Sequence, residues 1–365
     1  MKKICFALLL LPFCVKAQNT YTVCNLAGVS SNYKTLQGAH DSVPAGSTLY
    51  VLPSPFSYGT LTLTKRLTIY GTGYLLGQNF EPNTQAGTSP VILAQLHFRP
   101  GSDNSYAEGL QIAENNSNVN RVVIDTASGI IISRCFIRQQ DQPGSYFYLR
   151  GANNCTVKQC YLLCGSGFYS HYLLYADNPA SFSGILFSNN IIDFAPIGGN
   201  GFFMYNYLYN GTYNALFQNN TFYIDIRDSQ FGNLDFTNNI FVNTVNNGTP
   251  NPATLLLGGT NLNNITGATQ MFPTPGNNFQ GANTDSMFVA TLPGYHSADQ
   301  RAMLRDTSFA NTFGQGGIAV GAYGNANPYK LSGIPNLPYI YNLSVPAQAT
   351  APGTISVHIK AKASN

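Results

Sequence analysis

The chain has 365 residues, of which only 9% are charged, and a formal net charge of +3. Ordinary soluble domains carry roughly 25% charged residues. So slight a charge offers no electrostatic footprint for a nucleic acid or an acidic membrane. An apolar share of 44% is ample for a core, and the 35 glycines demand many turns.

Residues 1–17 read as a signal peptide. Lys2 and Lys3 form a basic start, Ile4 to Val15 an apolar run, and Val15-Lys16-Ala17 a cleavage site before Gln18. The run is shorter than the about 20 residues a bilayer span needs, and no later stretch qualifies. Cys14 follows Phe13, where a lipoprotein signal would want a small residue. The expected location is therefore secreted or on the outer cell surface, after cleavage near Ala17. Of seven cysteines, Cys24, Cys135, Cys155, Cys160 and Cys164 follow the leader. Their odd number leaves a free thiol or an intermolecular bond, and their pairing stays open.

Residues 18–45 form a cap region. Tyr33 to Val43 is predicted as a short helix, with Leu36, Ala39 and Val43 on one face and Pro44-Ala45-Gly46 ending it. Strands follow at Leu49–Val51, Leu61–Leu63 and Leu67–Tyr70. Polar loops occupy 77–90 and 99–109.

A repeat then organises the chain, spelled apolar, x, apolar, x, x, Asn, x, apolar. It runs Ile185, Phe187, Asn190, Ile192, then Ala215, Phe217, Asn220, Phe222, then Leu234, Phe236, Asn239, Phe241. Earlier copies put cysteine at the asparagine position, at Cys135 and Cys160, and a fainter copy reads Leu110, Ile112, Asn115. Period-2 spacing is a strand with one buried face, and returns every 19 to 30 residues mean stacked supersecondary units. No helical pattern separates the copies. An antiparallel sandwich would have to reproduce this register by chance. The expected fold is all-β: a single right-handed parallel β-helix with a short N-terminal capping helix. Coils are expected over 46–260, C-terminal coils and irregular loops over 261–343, and a strand or tail over 344–365. Ile132, Val157, Phe187, Phe217 and Phe236 should pile up inside, with Asn190, Asn220 and Asn239 forming a ladder. After 242 the repeat fades into loops.

The opening Gly46, Leu49, Val51, Lys65, Leu67, Ile69, Gly71, Gly73 and Tyr74 resembles the first coils of secreted bacterial proteins of the pectin-lyase-like β-helix superfamily. The closing Gly321-Ala322-Tyr323-Gly324 and Pro328 to Pro335 are similar to their C-terminal ends. The resemblance implies the fold. It leaves function open, because that superfamily holds lyases, hydrolases, esterases and non-enzymatic binders.

The outward residues of the repeated strand are Ile131/Ser133, Thr156/Lys158, Leu186/Ser188, Leu216/Gln218 and Asp235/Thr237. Only Lys158 and Asp235 are ionisable, and at about 4.8 Å per strand they lie roughly 14 Å apart, too far for a paired acid and base. A better group is Asp193, Asp225, Arg227 and Asp228: two carboxylates for acid and base, a third to hold water or a metal, and Arg227 to orient a uronate. Exposed turn charges and ion pairs are the plainer reading of the same residues. A second candidate is the row Tyr205, Tyr207, Tyr209, whose rings would meet sugar faces. The histidines are scattered, no Cys/His spacing marks a zinc site, and there is no phosphate loop. The expectation is a secreted or surface protein that binds a polysaccharide or cell-surface glycan, or is structural, with no cofactor. The alternative is a polysaccharide lyase or glycoside hydrolase acting on an acidic polysaccharide, with Ca²⁺ entering only for a lyase.

Overall fold

The computed structural model describes residues 19–113, 120–139, 144–164, 171–176, 181–193, 201–206, 213–223, 234–242, 259–268, 271–272, 276–289, 297–347 and 353–363. Residues 1–17, the expected signal peptide, lie outside them. Among the described residues the strands form three parallel sheets of ten, eight and six strands and one antiparallel pair. Each full coil gives one strand to each parallel sheet. Ile131–Ser133, Phe136–Gln139 and Gly144–Arg150 form one coil, and Thr156–Lys158, Tyr161–Cys164 and His171–Ala176 the next. Strands one coil apart pair in parallel, residue for residue. This is a parallel β-helix.

The interior follows from the repeat. Ile132, Val157, Phe187, Phe217 and Phe236 share one register column and are at most 1% exposed. Rings stack at 4.8 Å for Phe187 and Phe217, 5.1 Å for Phe217 and Phe236, and 4.6 Å for Phe222 and Phe241. Burying each such side chain stabilises the stack by about 2–3 kcal/mol.

The asparagine ladder is longer than the sequence pattern indicates. Asn190, Asn220 and Asn239 each accept the backbone N–H of the previous rung, and Asn264 and Asn278 carry the chain on. Each of Asn190, Asn220, Asn239 and Asn264 also donates to the next amide oxygen and to a carbonyl of the preceding coil. Cys135 and Cys160 occupy the two rungs before Asn190 as buried free thiols, and Cys24 and Cys155 are also free and buried. The side chain of Cys164 lies outside the described residues. Coils also continue where the repeat fades: Asn261–Leu262 and Ile265–Thr266 extend two of the sheets past residue 260. At the other end, Thr20–Val23 already pairs with Thr48–Val51, so the ten-stranded sheet begins ahead of residue 46.

The faint first copy is shifted from its expected place. Ala107 lies opposite Ile132, and Gln111-Ile112 opposite Phe136-Ile137. The reason is the corner between these strands, which needs a left-handed residue. Gly109 supplies it with φ 69°, as Arg134 does one coil later. Leu110 therefore takes the ladder position, and Glu108 becomes an outward neighbour of Ser133. Asn115 lies outside the described residues.

The helix spans Leu36–Ser42, starting later than expected because Thr35 caps it, its hydroxyl accepting from Gly38 N–H at 3.2 Å. Leu36, Ala39 and Val43 are buried. The polar side of the helix covers the open edge of the six-stranded sheet. Gln37 pairs with both backbone groups of Thr62, and His40 Nε2 accepts from Thr64 N–H at 3.0 Å. An edge that would template another chain is thereby closed.

After the last coils the chain turns back and runs over the outside of the eight-stranded sheet towards its first coils. Ala302, Ala322 and Tyr329 pack there on Phe136, Tyr161 and Ile191. It ends against the family-like opening segment: Tyr74 N–H donates to Ser332 C=O at 2.8 Å, and the Tyr74 and Tyr329 hydroxyls meet at 2.5 Å. A Cβ at Gly333 would collide with the Tyr74 ring. The buried Asp299 carboxylate accepts from Asn79, Ser332 N–H and Tyr329. The tail strand His358–Lys362 pairs antiparallel with Tyr339–Ser344. No helix among the described residues is long and apolar enough to cross a membrane.

Candidate functional site

From the fifth strand of the ten-stranded sheet onward the corner holds a left-handed non-glycine residue: Arg134, Gln159, Asn189, Asn219, Asn238 and Asn263, with Asn277 continuing the column, all with φ between 48° and 58°. Asparagine is the usual non-glycine choice there, so arginine and glutamine are exceptions. Their side chains explain them. Asn238 accepts from Gln315 N–H, Asn219 donates to Ala319 C=O, and Asn189 donates to Ala322 and Gly324 C=O. Gln159 then donates to Asn327 and Pro328 C=O, and Arg134 to Ile334 C=O. One column of side chains thus grips the returning segment, and its reach grows from Asn to Gln to Arg.

Where the reach is longest, a groove of about 630 Å³ opens between the ten-stranded sheet and residues Asn325 to Asn336. Its floor is the outward column Glu108, Ser133, Lys158, Ser188 and Gln218, each opposite the next. Lys330 enters from the returning segment. Glu108 is 1% exposed, and its Oε1 lies 3.3 Å from Arg134 Nε. Lys158 and Lys330 have no carboxylate partner among the described residues. Three cations therefore face one carboxylate, which is already engaged. Burial, Arg134 and Lys362 push the Lys330 amine below the ordinary lysine range. Burial and then Glu108 push the Tyr106 phenol well up, so it stays protonated. Beyond Glu108 the column continues into tyrosines: Tyr70 lies opposite Glu108, stacks on Tyr50 at 5.5 Å and meets Tyr106 at 5.8 Å. All three are partly exposed.

The residues expected from sequence lie elsewhere. Asp193 is on the eight-stranded sheet, 3% exposed, bound by the Tyr161 hydroxyl at 3.0 Å and by Arg301 of the returning segment. The Arg301 guanidinium also lies 4.3 Å over the Tyr223 ring. Asp193 thus sits in a sealed contact that clamps the segment. Asp225, Arg227 and Asp228 lie outside the described residues, as do Tyr207 and Tyr209 and the side chain of Tyr205. The Tyr205 backbone pairs with Tyr175, which pairs with Tyr148, so this tyrosine column crosses strands of the six-stranded sheet. The Tyr148 and Tyr175 rings stack at 5.6 Å. Asp235 accepts from Thr260 N–H at 2.6 Å in the neighbouring coil.

The sequence pattern placed Lys158 on the outward face without giving it a role, and did not single out Glu108, Arg134, Gln159, Lys330 or Tyr106. The signal for Arg134 and Gln159 was present: the residue before each ladder position is Asn in the later copies and changes to Arg and Gln in these two. Calcium does not fit the groove, because its one carboxylate is tied to an arginine and hard cations want several oxygen ligands. No group of three His, Cys, Asp or Glu among the described residues could hold a metal.

No family model and no curated protein matches the chain. Among solved structures it is similar to pectate lyase Pel9A, at 12% identity over 85% of this chain and 97% of that one, with a TM-score of 0.46. It is also similar to the pectin methylesterase from Aspergillus niger, at 11% identity over 82% and 95%, TM-score 0.33. A third is an alginate lyase from Paenibacillus sp. str. FPU-7, at 12% identity over 67% and 95%, TM-score 0.28. No residue role is carried over from likenesses this distant; the strand pairing itself makes the chain a parallel β-helix.

Proposed function

We propose that the chain binds an acidic polysaccharide along the groove over the ten-stranded sheet, and that it does so outside the cell. Lys158 and Lys330 meet sugar carboxylates, the buried Glu108 holds Arg134 in place beneath them, and Tyr70 and Tyr106 lie against the sugar faces. The observation that carries this reading is the pair of lysines in a concave site with no carboxylate of their own among the described residues. Such a cleft attracts polyanions and does little for neutral glycans. The leader-like residues 1–17 support the location.

One observation favours a second reading, a polysaccharide lyase. A lysine base must be neutral to accept a proton, and the Lys330 amine is shifted that way. It would take the proton next to the uronate carboxylate. The electron pair of that C–H bond would form the new C=C bond as the glycosidic C–O bond breaks, and the leaving oxygen would take a proton from water. Lys158 and Arg134 would balance the developing charge. Hydrolysis fits less well: it uses two carboxyl groups about 5 to 9.5 Å apart, and Glu108 is the one carboxylate among the described groove residues.

The test is affinity electrophoresis of the secreted protein in polygalacturonate, alginate and a neutral glucan, with ultraviolet absorbance followed in parallel. Retardation by the acidic polymers alone, abolished by Lys158→Ala with Lys330→Ala, is expected. Equal retardation by the neutral polymer would overturn the reading. Rising absorbance would move the assignment to the lyase.

A further inference from the structure

Arg134 and Lys330 line a second cleft, of about 240 Å³, together with Asn83, Ile334, Tyr339 and Lys362. Because both residues also line the groove, the two spaces are neighbours across an Arg134–Lys330 ridge. The second cleft contains three cations and no carboxylate among its described lining residues. Arg134 and Lys362 are among the causes that lower the Lys330 amine, after burial, so the three charges sense one another. Like charges brought together disfavour their own charged forms.

The outer wall of this cleft comes from the C-terminal ribbon, where Tyr339 and Lys362 are register partners. Burial holds the ribbon little: every residue of His358–Lys362 is exposed and none of Tyr339–Ser344 is more than partly buried. A two-stranded ribbon is marginal on its own. It is pinned instead at the loop near residue 82. Tyr339 hydroxyl donates to Pro82 C=O at 2.8 Å, Ala86 N–H donates to Ile340 C=O at 2.9 Å, and Glu81 takes Asn342 and Lys360. Glu81 neutralises Lys360, while Lys362, two residues on, has no carboxylate among the described residues. The pinning therefore delivers one uncompensated cation to a cleft that already holds two.

We propose that this cleft is a further subsite for the polysaccharide bound in the groove, with the ribbon as its outer wall and Lys362 as its carboxylate contact. The inference rests on the reading of the groove. It assigns the ribbon a part in binding and predicts that affinity depends on chain length, because only a polymer that crosses the ridge reaches Lys362.

The experiment titrates short and long oligogalacturonates into the full chain and into Lys362→Ala, Lys362→Arg and Lys158→Ala. Lys362→Ala should weaken the long oligomer about fivefold, the worth of one exposed ion pair, and leave the short one unchanged. Lys362→Arg should restore the long oligomer, which a merely structural role of the ribbon would not require. Loss of affinity in Lys158→Ala at both lengths, with Lys362→Ala silent at both, overturns the subsite and keeps the groove. Silence in both variants, or no binding at either length, overturns the groove and the subsite together.

Discussion

The corner column of the ten-stranded sheet has two halves that share a backbone and differ in side chain. From Asn189 to Asn277 the left-handed residue is asparagine, followed by a ladder asparagine. At Arg134 and Gln159 the same backbone carries long side chains, followed by buried cysteines. At Asn189, Asn219 and Asn238 the returning segment lies within reach of an asparagine amide. In the second a glutamine and then an arginine are needed, and the gap they bridge is the cationic groove. The site thus occupies the part of the solenoid where the repeat is broken, and the intact part maintains the scaffold.

The largest effect should come from breaking the groove half. Arg134→Ala leaves Glu108 buried without its cation and should cost about 3–5 kcal/mol in chemical denaturation. Adding Glu108→Gln should recover much of that, since the buried charge is then gone. The matching change in the other half, Asn219→Ala, loses its bond to Ala319 C=O and should cost about 1 kcal/mol. Equal costs would erase the proposed contrast. The ladder reverses it. Asn220→Ala leaves Asn190 N–H and Phe187 C=O unpaired in the interior and should cost about 2–3 kcal/mol. Cys160→Ala should cost about 1 kcal/mol, as a small apolar side chain trimmed by one atom.

Acid should loosen the groove half through Asp125, which lies in the same coil as Glu108. Hydrogen bonds from Arg150, then Thr126 and Arg99, hold its carboxyl down at about 2. A carboxyl lowered on folding contributes stability above its unfolded pKa of about 4 and loses it as pH falls towards 2. With both arginines partly exposed, the contribution is on the order of 1–2 kcal/mol. Urea midpoints between pH 5 and 2 should fall less in Asp125→Asn than in the wild type. The smallest effect is Lys158→Ala, which should change stability by no more than about 0.5 kcal/mol while removing affinity for acidic polymer.

The fold was legible because its signal is periodic. Phe187, Phe217 and Phe236 repeat at one offset from their asparagines, and only stacked coils satisfy every copy at once. The ladder was legible for the same reason, and its cysteine rungs could be placed without a partner. Asn264 and Asn278 were missed because their strands are two residues or shorter, leaving no alternation to read. The site was harder because it is made by a long-range return of the chain: Lys330 comes to Arg134 across nearly the whole stack, and nothing local announces that approach. Glu108 was hidden by a register error, since Leu110 and Ile112 imitate the interior pair when the Gly109 corner is overlooked. Asp193 misled for the opposite reason: a lone aspartate in an apolar strand invites a chemical role, and here it clamps Arg301.

The most direct test is a crystal structure of the protein with an acidic oligosaccharide. Sugar density is expected in the groove, with carboxylates on Lys158 and Lys330 and a ring against Tyr70 or Tyr106. Density on the Tyr148–Tyr175 face or beside Asp193, with the groove empty, would contradict binding there.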